Sequence, residues 1–164
     1  MTGLRVAALF LAGLSWGCGK KPEPPVREPL QPATSSKFHA GEEYSFDGRP
    51  SDPKPRCTVL QVDMHPKLGN IVHLALNGIR IKNDQAPGGF SEQVQHFPCA
   101  EAALEKSHLK LLKSGVPLLD FKDAYEKWKR PFEEGKAGVW TDSLAECLQA
   151  MERRVGLKYE TPKK

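Results

Sequence analysis

From Gly41 to Lys82 apolar residues recur at every second position, and after His96 the repeat lengthens to that of a helix. Tyr44-Ser45-Phe46 predicts a short strand. Leu60, Val62 and Met64 alternate with Val59, Gln61 and Asp63, so a half-buried strand is expected from about Cys57 to Met64. His65-Pro66-Lys67-Leu68-Gly69-Asn70 predicts a loop, and Ile71 to Leu76 a second, more apolar strand with a central place. Asn77-Gly78 is a type I′ hairpin signal, because both turn positions take positive φ, with Ile79-Arg80-Ile81-Lys82 returning.

Asn83 to His96 reads as a loop, since Asp84, Pro87, Gly88 and Gly89 interrupt regular structure. Pro98 then suits the first turn of a helix whose face is Ala100, Ala103, Leu104, Leu111 and Leu112, stopped by Gly115. Asp120 is a suitable N-cap for a second helix, with Phe121, Ala124, Tyr125, Trp128 and Phe132 as its stripe. Pro131 lacks an N–H, which predicts a kink or an early end near Lys127 to Arg130. Thr141 is placed to cap a third helix with Leu144, Cys147, Leu148, Met151 and Val155 on its face, ending at Gly156. Strands followed by helices predict an α+β fold: a small antiparallel sheet of three or four strands, with three helices packed on one face.

The N-terminus is organised differently. Arg5 precedes nine residues, Val6 to Leu14, that are apolar but too few to span a bilayer, which takes roughly 20. Ser15 and Gly17 sit three and one before Cys18, as in an export signal. A cysteine at the first mature position resembles the bacterial lipoprotein signal, which implies lipidation of Cys18. The lipobox is degenerate, because Ser15 stands where Leu is usual and Leu14 lies one residue back. Ordinary cleavage after Gly17 is the rival reading. A polar stretch with Pro22, Pro24, Pro25, Pro29 and Pro32 follows, the composition of a stiff spacer. The expected organisation is a signal peptide (1–17), a lipidated cysteine and linker (18–37), one domain (38–157) and a basic tail (158–164). Localisation would be a lipid anchor on the cell membrane or outer membrane of a bacterial envelope.

Net charge is only +4, with basic residues gathered near the end of the chain. No dense patch with interleaved aromatics suggests nucleic acid, and solvated helix faces account for most of the charge. Cys57, Cys99 and Cys147 are an odd set for an oxidising compartment. One disulfide and one free thiol is the expectation, with Cys99–Cys147 favoured; three buried thiols remain the alternative. No CxxC or neighbouring histidine points to a metal, and no motif calls for a cofactor.

Chemistry concentrates in few places. His73 shares a strand face with Ile71 and Ala75, where a packed, hydrogen-bonded histidine is the plainer reading. Asp63 and His65, two apart on one strand, have the spacing of a carboxylate–imidazole pair, though any strand entering a loop can look so. The segment from Gly88 to His96 is the stronger candidate, with Phe90, Ser91, Glu92 and His96 as binding residues on a loop. Paired glycines also serve simple turns. Ser91 and His96 lack an identifiable acidic third member, so no catalytic residue is assigned. Phe121, Tyr125, Trp128 and Phe132 read as a seam between helix and sheet, which Trp140 would join.

Phe38-x-x-Gly41-Glu42-x-Tyr44, Ile71-Val72-His73, Gly78-Ile79-Arg80-Ile81-Lys82-Asn83, Gly88-Gly89-Phe90-Ser91 with His96-x-Pro98, and Trp128 with Gly135-Lys136-Ala137-Gly138-Val139 resemble an uncharacterised group of small bacterial proteins. The resemblance covers most of residues 38–155 and implies a compact single domain, with no catalytic residue carried over. Pro131 departs from the group's pattern. The leading expectation is a membrane-anchored, non-enzymatic lipoprotein domain that binds membrane lipid through acylated Cys18 and a protein or envelope partner, with no nucleic acid. The alternatives are a small hydrolase or ligand-binding enzyme centred on 88–96, and an inhibitor or immunity-type protein.

Overall fold

The protein is seen in a computed structural model that describes residues 28–159, with side chains through 154. The export-type segment and Cys18 lie outside the described residues, as does the end of the basic tail. Among the described residues the fold is α+β. Six strands, β1 (Gln31–Pro32), β2 (Glu43–Ser45), β3 (Arg56–His65), β4 (Gly69–Lys82), β5 (Phe90–Ala100) and β6 (Lys110–Lys113), form one antiparallel sheet. Three helices complete it: α1 (Glu101–Glu105), α2 (Lys122–Glu133) and α3 (Leu144–Tyr159). The strand order is β5-β4-β3-β2-β6, while β1 pairs with the far end of β3, Gln31 opposite Met64. Residues expected to be linker therefore join the sheet from Gln31 onward.

Each strand of the sheet's centre separates two kinds of side chain. Val72, Leu74 and Leu76 of β4 join Val59 of β3 and Phe97 and Cys99 of β5 in a buried cluster. Ala103 and Leu104 of α1 and Leu144, Cys147 and Leu148 of α3 close that cluster. The intervening residues Ile71 and His73 point the other way by strand alternation, and Tyr125 and Trp128 of α2 cover His73. So the expectation of all helices on one face gives way. An aromatic stripe and a Leu/Cys stripe cannot both be satisfied by one sheet face, and the two faces divide them.

The strands differ from the expected three or four in both directions: β1, β5 and β6 are added, while two expected strands merge into β4. Asn77-Gly78 does not turn the chain: β4 runs through it, with Asn77 opposite Gln93 and Ile81 opposite Ser91, so β4 bulges. Gly78 has φ +65° and a Cβ there would stand 2.0 Å from the Lys54 carbonyl oxygen, so the glycine serves a bulge and a close backbone approach instead of a hairpin. The expected loop over Asn83 to His96 is irregular only to Gly89, after which β5 begins. Pro98 lies in that strand, not in a helix. Its carbonyl accepts from Trp140 N–H on the outer side, so the missing N–H costs the sheet no bond. The predicted first helix shrinks to α1; Leu111 and Leu112 lie on β6 and are exposed.

The later helices differ at their ends. Pro131 does not stop α2 near Lys127 to Arg130; the helix continues to Glu133, and the Pro131 carbonyl accepts from Lys136 and Ala137. Ser143, not Thr141, caps α3: Ser143 N–H donates to Glu146 Oε2 at 3.1 Å while Glu146 N–H reaches Ser143 Oγ, a capping box. Leu144 N–H donates to the buried Ser107 Oγ at 2.9 Å, and that hydroxyl donates to Ala103 O, tying α1 to α3. α3 continues past Gly156 to Tyr159. The Cys99–Cys147 disulfide is not formed: Cys57, Cys99 and Cys147 are all free and buried. Burial pushes the Cys57 thiol up to about 12 and the Cys147 thiol up to about 11, so both stay protonated and inert.

One buried ion cluster pins the chain before β3 to β4 and α3. Arg49 donates from Nη2 to Asp52 Oδ1 at 2.8 Å, from Nε to Asp52 Oδ2 at 3.0 Å and from Nη1 to Glu152 Oε2 at 2.9 Å. Asp52 Oδ1 also accepts the Arg80 N–H at 2.9 Å. Removing one partner from such a cluster strands a buried charge. Asp52→Ala should lower the unfolding free energy by about 3–5 kcal/mol in a urea titration; a loss below about 1 kcal/mol would show that Arg49 finds solvent instead.

Candidate functional site

Besides the Arg49 cluster, polar side chains converge in a cleft beside the start of β5 and in a histidine array beneath α2. The cleft, a cavity of about 850 Å³, opens where the β4 bulge leaves β5. Asn77 and Ile79 of the bulge form one side, and Phe90, Ser91, Glu92, Gln93 and Gln95 of β5 the other. The Arg80 guanidinium lies over the Phe90 ring, 4.2 Å from its centre. Ser91 Oγ accepts from Asn83 Nδ2 at 2.9 Å, which holds the turn ahead of β5. Three of the four residues expected on a binding loop thus line one cleft, but from a strand. His96 is absent from its lining.

His96 turns instead to the face covered by α2. Its Nε2 stands 2.9 Å from His73 Nδ1, and the two rings lie 5.1 Å apart and 13° from parallel. His73 is fully buried, and its Nε2 is 3.2 Å from Asp63 Oδ2 in a bent approach that makes a charge contact more than an aligned hydrogen bond. Tyr125 of α2 donates to the same Oδ2 at 2.6 Å, and Gln61 Nε2 donates to Oδ1 at 2.7 Å. Trp128 packs edge-on against His73, ring centres 5.0 Å apart. Of the Asp63–His65 spacing, Asp63 bonds to Tyr125 and Gln61, while His65 accepts from Lys67 and Leu68 N–H at Nδ1 and lies against Phe132. Trp140, expected on the α2 stripe, stacks on Phe97 at 5.6 Å in the other cluster.

The array is an internal network in which His73 Nδ1, Asp63, Tyr125 and Gln61 are hydrogen-bonded, while the buried His73 Nε2 has only its bent approach to Asp63. A His73–His96 hydrogen bond needs one N–H and one lone pair, so the pair holds at most one excess proton. Burial, then the neighbouring His73, lowers the His96 pKa to about 4. Burial works against the Asp63 carboxylate, but the close approach of His73 and the hydrogen bonds from Tyr125 and Gln61 bring it below its usual value. Burial, then Asp63, raises the Tyr125 hydroxyl well above an ordinary phenol. No serine or cysteine stands among these contacts, so the array offers a base without a nucleophile. Ser91, the hydroxyl of the cleft, has no imidazole partner among its bonds.

Sequence reasoning placed His73 correctly as a packed, hydrogen-bonded histidine, and missed that Asp63 and His96 are its neighbours. Gln61 pairs with His73 and Asp63 with Ile71 across β3 and β4, a register that strand alternation alone cannot supply. The polar alternation of Gln61, Asp63 and His65 was the available signal, and it marked a buried polar face, not a solvated one.

Cleft and array together define a class: a small α+β domain whose antiparallel sheet is covered on both faces and whose open polar cleft lies at one sheet edge. No family model, curated protein or solved structure matches the chain.

The depressed His96 sets a pH dependence. Unfolded, an imidazole binds its proton near pH 6.5, whereas the folded ring does so only near 4. The unfolded chain therefore holds more protons between those values, and stability falls as pH drops through that window. The full shift corresponds to about 3 kcal/mol; solvent around the half-exposed ring reduces this to about 1–2 kcal/mol. Urea titrations at pH 7 and pH 4.5 should differ by that amount, with His96→Gln removing most of the difference. An unchanged slope in the variant would place the pH dependence elsewhere.

Proposed function

We propose that this protein is a membrane-anchored lipoprotein of a bacterial envelope whose domain binds a protein or envelope component without catalysing a reaction. The observation that carries the binding part is the cleft at β5. It presents Glu92, Gln93, Gln95 and Asn77 as hydrogen-bonding groups, with the Phe90 ring as an apolar platform. Few polar groups convergent on an open concavity suit recognition. The division of Ser91 from His96 supports binding over hydrolysis, because the base is turned away and engaged by His73. Support for the anchor is the N-terminal pattern of Arg5, Val6 to Leu14, Ser15, Gly17 and Cys18 ahead of a proline-rich spacer. In this reading the domain starts from the spacer near Glu28 and works within reach of the bilayer.

Two measurements test the parts separately. Cys18→Ala should move the protein out of the membrane fraction and abolish incorporation of labelled fatty acid; unchanged fractionation removes the anchor. A Phe90→Ala/Glu92→Gln variant should fold with a melting temperature within a few degrees of the parent, since both side chains are at the surface. Its capture of components from envelope extract should fall at least tenfold. Identical capture by parent and variant would show that the cleft is not where the ligand sits.

A further inference from the structure

Apart from the two-residue β1, the sheet's strand path ends in two edges that are guarded very differently. Edge strands expose unpaired N–H and C=O groups, and natural proteins blunt them with short length, lysine or proline. β6 follows that rule: it has four residues, with Lys110 and Lys113 at its ends. β5 does not. From Phe90 to Phe97 it carries neither lysine nor proline, and Glu92 is its only carboxylate. Among the described residues none of the backbone groups in that stretch is bonded on the outer side.

The far half of the same edge is already occupied by the chain itself. Trp140 forms a parallel bridge with Cys99: Trp140 N–H donates to Pro98 O at 3.0 Å, and Ala100 N–H donates to Trp140 O at 2.8 Å. The segment leaves the edge at once, because the Gly138 carbonyl is bound by the Trp128 indole N–H. So β5 accepts an added backbone over Pro98–Ala100 and is left open over Phe90–His96. The open part is the part whose side chains line the cleft.

The geometry points to the Phe90–His96 half of β5 as a strand-addition site for an extended peptide segment of a partner protein, with alternate peptide side chains entering the adjoining cleft. Backbone hydrogen bonds to β5 supply the affinity. Gln93, Gln95 and Glu92 select a polar segment without an acidic residue opposite Glu92. A second copy of this chain is disfavoured there, because edge-to-edge pairing brings two Glu92 carboxylates to one seam. The inference rests on the binding reading above and narrows its ligand to a peptide.

The probe is a displayed library of random 12-residue peptides, panned against the full-length protein in mild detergent. Peptides should be enriched, and saturating the protein with one should slow amide exchange at least tenfold within Phe90–His96. Giving β5 the guard that β6 has, with Gln93→Lys/Gln95→Lys, should weaken the same peptide at least tenfold. Gln93→Ala/Gln95→Ala should weaken it less. Failure to enrich any peptide, protection confined to other segments, or equal affinity for the lysine variant would overturn the proposal, as would a β5-mediated dimer of the free protein. Exchange protection is read on the parent, so it decides the matter even if the lysine variant fails to fold. If peptides fail while cleft-dependent capture from envelope extract persists, strand addition falls and the binding reading stands; loss of both removes both.

Discussion

A central strand covered on both faces is the constraint on which this structure depends. β4 is bonded to β3 on one side and β5 on the other, and from Ile71 to Leu76 each of its side chains is buried. Such a strand has no solvated face on which to place a polar group, so His73 must be satisfied inside the protein. His96 bonds its Nδ1, Asp63 stands beside its Nε2 and is itself held by Tyr125, and the three come from different elements. The seating of α2 follows from that need as much as from its apolar stripe.

The two coverings are chemically unlike. α1 and α3 close their face with Leu104, Leu144, Cys147 and Leu148 against the Cys57 and Cys99 thiols of the sheet, a packing that asks only for volume and dryness. α2 closes the other with rings and hydrogen bonds, Tyr125 on Asp63 and Trp128 on His73. Directional contacts hold one orientation and depend on protonation. The first layer therefore fixes the core, and the second carries the groups whose protonation the contacts depend on. The cleft lies outside both layers, beside the β4 bulge, which places recognition at the sheet's edge and leaves the core out of it.

Much of the central sheet was legible from the chain. The strand expected from Cys57 to Met64 is β3 with one residue more at each end, and the apolar run Ile71 to Leu76 is the middle of β4. The α2 seam of Phe121, Tyr125, Trp128 and Phe132 also follows its spacing, with Phe132 buried. The failures share a cause. Gly78 and Pro98 are residues whose local preferences admit two outcomes, and in both cases a distant partner chose. The Lys54 carbonyl makes Gly78 a bulge, and an outer edge makes Pro98 harmless within a strand.

By itself the sequence determined the α+β class, the period of β3, the middle strand, α2 and α3, and the burial of His73, because period and composition are local properties that every chain position carries. It also determined the export-type pattern ahead of Cys18, which needs no fold to be read. Tertiary structure alone decided which strands are neighbours, that Ser91 and His96 face different surroundings, and that three cysteines remain apart as thiols. Those are questions of register and of which face a helix covers. A shift of one residue in pairing reverses every such answer while leaving the pattern of polar and apolar positions unchanged.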